Sequence, residues 1–141
     1  MRALAFSVAL AAMTGAAHAQ SADPYVGTWA FQTQPYSAGQ GGVLAVMSGV
    51  AVISDGAGEN YQIKLLAHEF ITQGERSLTL TARQNCEGEV QGGQFSISCE
   101  LAEPLEGYQP DAFVLQQGEA DEMMGVLASA ASAQVTFSRL R

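Results

Sequence analysis

The stretch LTLTARQNCEGEVQGGQFSISCEL, residues 78–101, decides the fold. At its centre, Gln91-Gly92-Gly93-Gln94 has the form of a two-residue hairpin turn, because adjacent glycines accept the positive φ that such turns require. With Gly92 and Gly93 as the turn, Gln91 faces Gln94, Val90 faces Phe95, and Cys86 faces Cys99. Counting outward from Gln91 and Gln94 puts the cysteines on a non-hydrogen-bonded pair, where Cα atoms stand about 4.5 Å apart. That is within disulfide reach. Polarity tests the same register, since strand residues alternate between faces. One face reads Leu78, Leu80, Ala82, Cys86, Val90, Phe95, Ile97, Cys99 and Leu101; the other carries Thr79, Thr81, Arg83, Asn85, Glu87, Glu89, Ser96, Ser98 and Glu100. A slip of one residue would send Glu87 and Glu89 into the core, so turn chemistry, cysteine placement and alternation agree. The cysteines are not a C-x-x-C pair, and no second pair or histidine cluster accompanies them. A structural disulfide is therefore expected, rather than a redox or metal site.

Working outward, alternation and turn clusters predict strands at about 26–33, 43–54, 60–69, 111–117, 122–128 and 133–140. Short connections such as Asp55-Gly56-Ala57-Gly58 and Gln73-Gly74-Glu75 suit a meander in which successive strands are neighbours. With the two hairpin arms the expected fold is all-β, an up-and-down antiparallel barrel of about eight strands with one disulfide. Closure removes exposed strand edges. Residues 121–134 carry an alanine-rich run that also suits a helix. Gly125 in mid-run and the alternation of Val135 and Phe137 with Thr136 and Ser138 favour strand, turn, strand.

The N-terminus reads as a cleavable export signal of bacterial type. Arg2 supplies the positive charge, Ala3 to Gly15 is apolar and uncharged, and Ala17-His18-Ala19 is a small-x-small cleavage site. Residues 1–19 are thus a signal peptide and 20–141 a single barrel domain, located in the periplasm or secreted. The apolar run is shorter than the roughly 20 residues that span a bilayer. Loss of Arg2 leaves five basic against 14 acidic residues and moves the net charge from −8 to about −9. With no Lys/Arg cluster, nucleic acid and anionic membrane are poor partners.

Catalytic constellations are scarce. His18 leaves with the signal, so His68 is the one histidine of the domain, and parity puts it on the polar face beside Lys64. A Ser/His/Asp or Cys/His set would have to be built on that residue. Zinc and iron sites need convergent His or Cys ligands. The acidic turns at 55–60 and 119–122 lack the spacing of a calcium loop. Glu87, Glu89 and Glu100 share the wet face of the hairpin, where solvation explains them. The expectation is no catalytic residue, no metal, no cofactor and no enzymatic activity.

The chain ends carry a resemblance. Gly27-Thr28-Trp29 opens the first strand, and Val135-Thr136-Phe137-Ser138-Arg139 closes the last. This pattern resembles the calycin superfamily of lipocalins, avidins, fatty-acid-binding proteins and small bacterial protease inhibitors. The resemblance implies that Gly27, Trp29 and Arg139 close one barrel end, with the guanidinium over the indole. It also implies an alternative function: a calycin-type protease inhibitor acting through the segment before the first strand, residues 20–24, Gln20 to Pro24.

Two strands break the inside-outside rule. Val43 to Ile53 is apolar at both parities, as is Met123 to Ala128, and such a strand is usually covered on both faces. If Leu44, Val46, Val50 and Val52 face the core, then Val43, Ala45, Met47 and Ile53 form an outer wall, with a bulge at Gly49 able to exchange the sets. Val43, Met47, Ile53 and Met124 are the candidate interaction surface. The expected function is a non-enzymatic binding module for a small apolar ligand or a protein partner, a homodimer included.

Overall fold

The computed structural model describes residues 23–56, 59–129 and 132–141. The expected signal peptide, residues 1–19, lies outside the described residues, as do Gln20 to Ala22. Strands β1 (Gly27–Thr33), β2 (Tyr36–Ser37), β3 (Leu44–Asp55), β4 (Asn60–Gln73), β5 (Arg76–Gln91), β6 (Gln94–Leu101), β7 (Ala112–Gln117), β8 (Glu122–Leu127) and β9 (Ala133–Arg139) make up the domain. Sequential neighbours pair antiparallel from β3 to β9, and both β3 and β9 pair with β1, so eight strands close a meander barrel. The two-residue β2 continues the line of β1 along β3.

The central hairpin has the register that its alternation demands. Gln91 pairs with Gln94, Val90 with Phe95 and Cys86 with Cys99. Gly92 and Gly93 adopt φ of 59° and 80°, the positive values a primed two-residue turn needs. The cysteines are bonded, with Cα atoms 4.0 Å apart. Residues 122–127 and 133–139 form paired strands rather than a helix, Met123 opposite Phe137 and Leu127 opposite Ala133; Ala130 and Ala131, within that stretch, lie outside the described residues.

The facing of β3 is the reverse of the expected one. Ala45, Met47, Ala51 and Ile53 are buried in the barrel, Met47 and Ile53 at 2% exposure, while Leu44 and Val52 stand on the outer wall at 52% and 46%. Met47 and Ile53 therefore face the barrel interior and form no outer interaction surface. No bulge intervenes, since β3 pairs with β4 without a break through Gly49 and Ala67. The reason lies across the barrel wall. Gly49 shares the inward parity and faces Phe31, and a Cβ on it would stand 2.6 Å from the Phe31 ring. Only the odd-numbered set lets that ring turn inward. With both parities apolar, the wall decides by fit, not by hydropathy.

Large side chains fill one half of the barrel. Phe31, Phe113 and Phe137 pack with ring centroids 5.0 to 5.5 Å apart. Nearer one end, Phe95 stacks on Tyr25 at 4.6 Å and meets the edge of Tyr61 at 5.4 Å. Such pairs add about 0.5–1.5 kcal/mol each beyond their area.

Candidate functional site: the two ends of the barrel

At the first end, the chain entering β1 is drawn over the barrel and pinned. The Asp23 carboxylate accepts the backbone N–H of Tyr25 at 2.8 Å, that of Val26 at 3.2 Å, and the Tyr61 hydroxyl at 2.9 Å. Burial alone would raise its carboxyl, but those bonds and the charge of Arg139 outweigh it, so Asp23 ionises below its ordinary value. The same contact pushes Tyr61 up to about 12, burial being the first cause and the Asp23 bond the second. Trp29, 1% exposed, donates its indole N–H to the Tyr25 carbonyl at 2.9 Å. The Arg139 guanidinium lies 4.3 Å from the Trp29 ring centre. It donates to the carbonyls of Val26 at 2.5 Å and Pro24 at 2.7 Å, and pairs with Asp121 at 3.0 Å. Gly27 is required there: its φ is +146°, and a Cβ would sit 2.5 Å from Arg139 Nη1. Gly27, Trp29 and Arg139 thus meet at one sealed end. Asp23 and Pro24, from the segment expected to reach a protease, are part of that seal.

The opposite end is open. A cleft of about 790 Å³ lies among Met47, Glu69, Ile71, Leu80, Tyr108 and Asp111, with Ser37 and Ser129 at its rim. Small buried side chains, Ala45, Ala67, Ala82 and Ala133, take inward positions on the strands that frame it. Two polar groups stiffen the mouth. Tyr36 donates its hydroxyl to Glu69 Oε1 at 2.5 Å. Asp111, 4% exposed, accepts from Gln84 Nε2 at 2.5 Å and the Tyr108 hydroxyl at 2.6 Å, while its own N–H donates to Gln84 Oε1 at 2.8 Å. Burial is the main reason that Asp111 ionises above its ordinary value; Tyr108 and Gln84 oppose the shift and nearby Glu69 adds to it. Tyr36 and Tyr108 are held far above the usual phenol range, first by burial and then by these carboxylates. Thr33, buried on β1, accepts the N–H of Met47 at 2.9 Å.

Of the residues around the mouth, sequence reasoning singled out Met47, on the wrong face of β3, and passed over Tyr36, Glu69, Gln84, Tyr108 and Asp111. A signal existed: Gln84 occupies an inward position of β5 between Ala82 and Cys86, and a polar residue on a core parity demands a buried partner.

The other expected residues scatter. Met124 is 50% exposed on the outside of β8, and Val43 is half-buried just before β3; they form no common surface with Met47 and Ile53, which are inside. His68 stands exposed on the outer face of β4, with Nδ1 2.9 Å from Thr81 Oγ1. Glu87, Glu89 and Glu100 are exposed on the outer face.

Fold and site together define the class: a closed, eight-stranded antiparallel β-barrel, stapled by one disulfide, sealed at one end and cleft at the other. Comparison with protein-family models, with curated proteins and with solved structures returns no match.

Proposed function

We propose that the chain is a non-enzymatic binding module of the calycin type, working in the periplasm or outside the cell, with its ligand at the barrel mouth. The observation that carries this reading is the asymmetry of the filling: aromatic rings pack the sealed half, and a cleft of about 790 Å³ opens above them. Pockets of roughly that size, apolar with a few fixed polar groups, are the usual form of a small-molecule site. Met47, Ile71 and Leu80 offer a floor for an apolar body, and Glu69 offers an acceptor for a donor group. The arrangement of Gly27, Trp29 and Arg139 supports the calycin assignment, and the Cys86–Cys99 bridge suits an oxidising compartment. The inhibitor alternative gains nothing from the seal, because Asp23 and Pro24 are engaged by Tyr61 and Arg139 rather than free to enter an enzyme.

Native mass spectrometry of the protein purified from its own periplasm tests the reading. The expected result is a retained small molecule that is lost in Ser37→Trp, which plugs the rim from an exposed position. A ligand-free wild type, or a ligand that persists in Ser37→Trp, overturns it.

A further inference from the structure

We infer that the outer wall of β3, β4 and β5 carries a second site, separate from the mouth, for a single-chain amphiphile with an anionic headgroup. A groove of about 370 Å³ runs across this wall, floored by Val50, Val52, Leu66 and Ala102 and edged by Lys64 and Arg83. The register explains the layout. Val50 pairs with Leu66 and Leu66 with Arg83, while Val52 pairs with Lys64, so an apolar row ends on one cation and is flanked by the other. At about 4.8 Å per strand, the row from β3 to β5 is roughly 10 Å long. Val52 and Leu66 are 46% and 36% exposed, two of several large apolar side chains on the outside of the sheet, and they are the ones that line this groove beside two cations.

Charge identifies the occupant. The described residues hold five cations against 14 acids. Arg139 and Arg141 are paired with Asp121. Lys64 is steadied by Asn85 Oδ1 at 2.6 Å without neutralisation, and Arg83 makes no ion pair among the described residues. A molecule that repels anions over most of its surface thus places beside its apolar groove two cations that make no salt bridge among the described residues, with Glu87 and Glu100 on the far side of Lys64. An acyl chain lies along Val50, Val52 and Leu66, and its anionic head meets Lys64 and Arg83. A second copy of this acidic chain is a poorer occupant, since like charge opposes its approach.

Dodecanoate below its micellar concentration is the probe, followed by backbone amide shifts, with dodecylammonium as the control. The expected result is saturable shifts at Val50, Val52, Leu66 and Arg83 with dodecanoate alone. Affinity should fall at least tenfold in Arg83→Glu and weaken at higher salt. Arg83→Gln, milder on folding, should weaken binding in the same direction, and Ser37→Trp should leave the groove shifts intact. Equal response to dodecylammonium overturns the inference. So do shifts confined to Tyr36 and Tyr108 at the mouth, affinity unchanged in both Arg83 variants, or no saturable shift at all.

Discussion

The sealed end and the mouth of this barrel hold their polar groups by opposite means. At the sealed end a guanidinium is spread over an indole and two backbone carbonyls, and Asp23 serves the N–H groups of the entering chain. Charge there is shared among partners that favour it, and Trp29, Tyr25 and Phe95 pack the interior. At the mouth, Asp111 is enclosed with neutral partners, Gln84 and Tyr108, and faces a second acid, Glu69. Charge there is disfavoured and alanines leave room. One end is built to hold the fold and the other tolerates unfavourable electrostatics, a pattern common where sites are kept for binding.

The contrast can be broken most forcefully at Trp29. Trp29→Ala removes a fully buried ring and the platform beneath Arg139, and should destabilise the domain by about 3–5 kcal/mol in chemical denaturation. A loss below about 1 kcal/mol would mean that the sealed end is not what stabilises the barrel. Next comes the staple. Cys86→Ser opens a bridge with a sequence separation of 13, worth about 3 kcal/mol in the chain-entropy model. An unchanged denaturation midpoint would contradict it.

The half-buried Asp23 and the buried Asp111 should show opposite pH signatures. Asp23 ionises below 3.8 in the folded state, so its contribution is complete above pH 3.8 and is lost as pH falls through its depressed value. Asp111 ionises above 3.8. The native state holds that proton longer than the unfolded chain, and stability should therefore fall as pH rises from 3.8 through the elevated value. Asp23→Asn should erase the acid-side loss and Asp111→Asn the loss on rising pH, both read from urea midpoints across the acid to neutral range. Identical pH profiles for the two variants would erase the distinction between the ends.

The smallest effect belongs to the wall between them. Val52→Lys, on the outer face of β3, should alter stability by no more than about 0.5 kcal/mol, whereas Met47→Lys, five residues away on the inner face, should unfold the domain by burying an unpaired charge. Equal tolerance of both would overturn the facing of β3.

Much of this architecture was legible in the chain. Residues 78–101 specify their own pairing because alternation, a Gly-Gly turn and two cysteines are independent constraints on one register, and turn clusters elsewhere mark the remaining strands. The mouth was less legible. Its Tyr36, Glu69, Gln84, Tyr108 and Asp111 come from four separate segments, and only Glu69 and Gln84, polar at inward positions of β4 and β5, announced that something polar had to meet them. The connection between β6 and β7 brings Tyr108 and Asp111 across the opening, and no local pattern in residues 102–111 encodes that reach.

The sequence by itself determined the strand pattern and the Cys86–Cys99 bridge, since each rests on period-two alternation or on local turn chemistry; the meeting of Trp29 with Arg139 was implied only by the resemblance of the chain ends. Tertiary structure alone decided which face of β3 is the inside. Where both parities are apolar, hydropathy is silent. The choice falls to steric fit: the Phe31 ring needs the space that Gly49 leaves, and that fit exists only once β1 closes against β3.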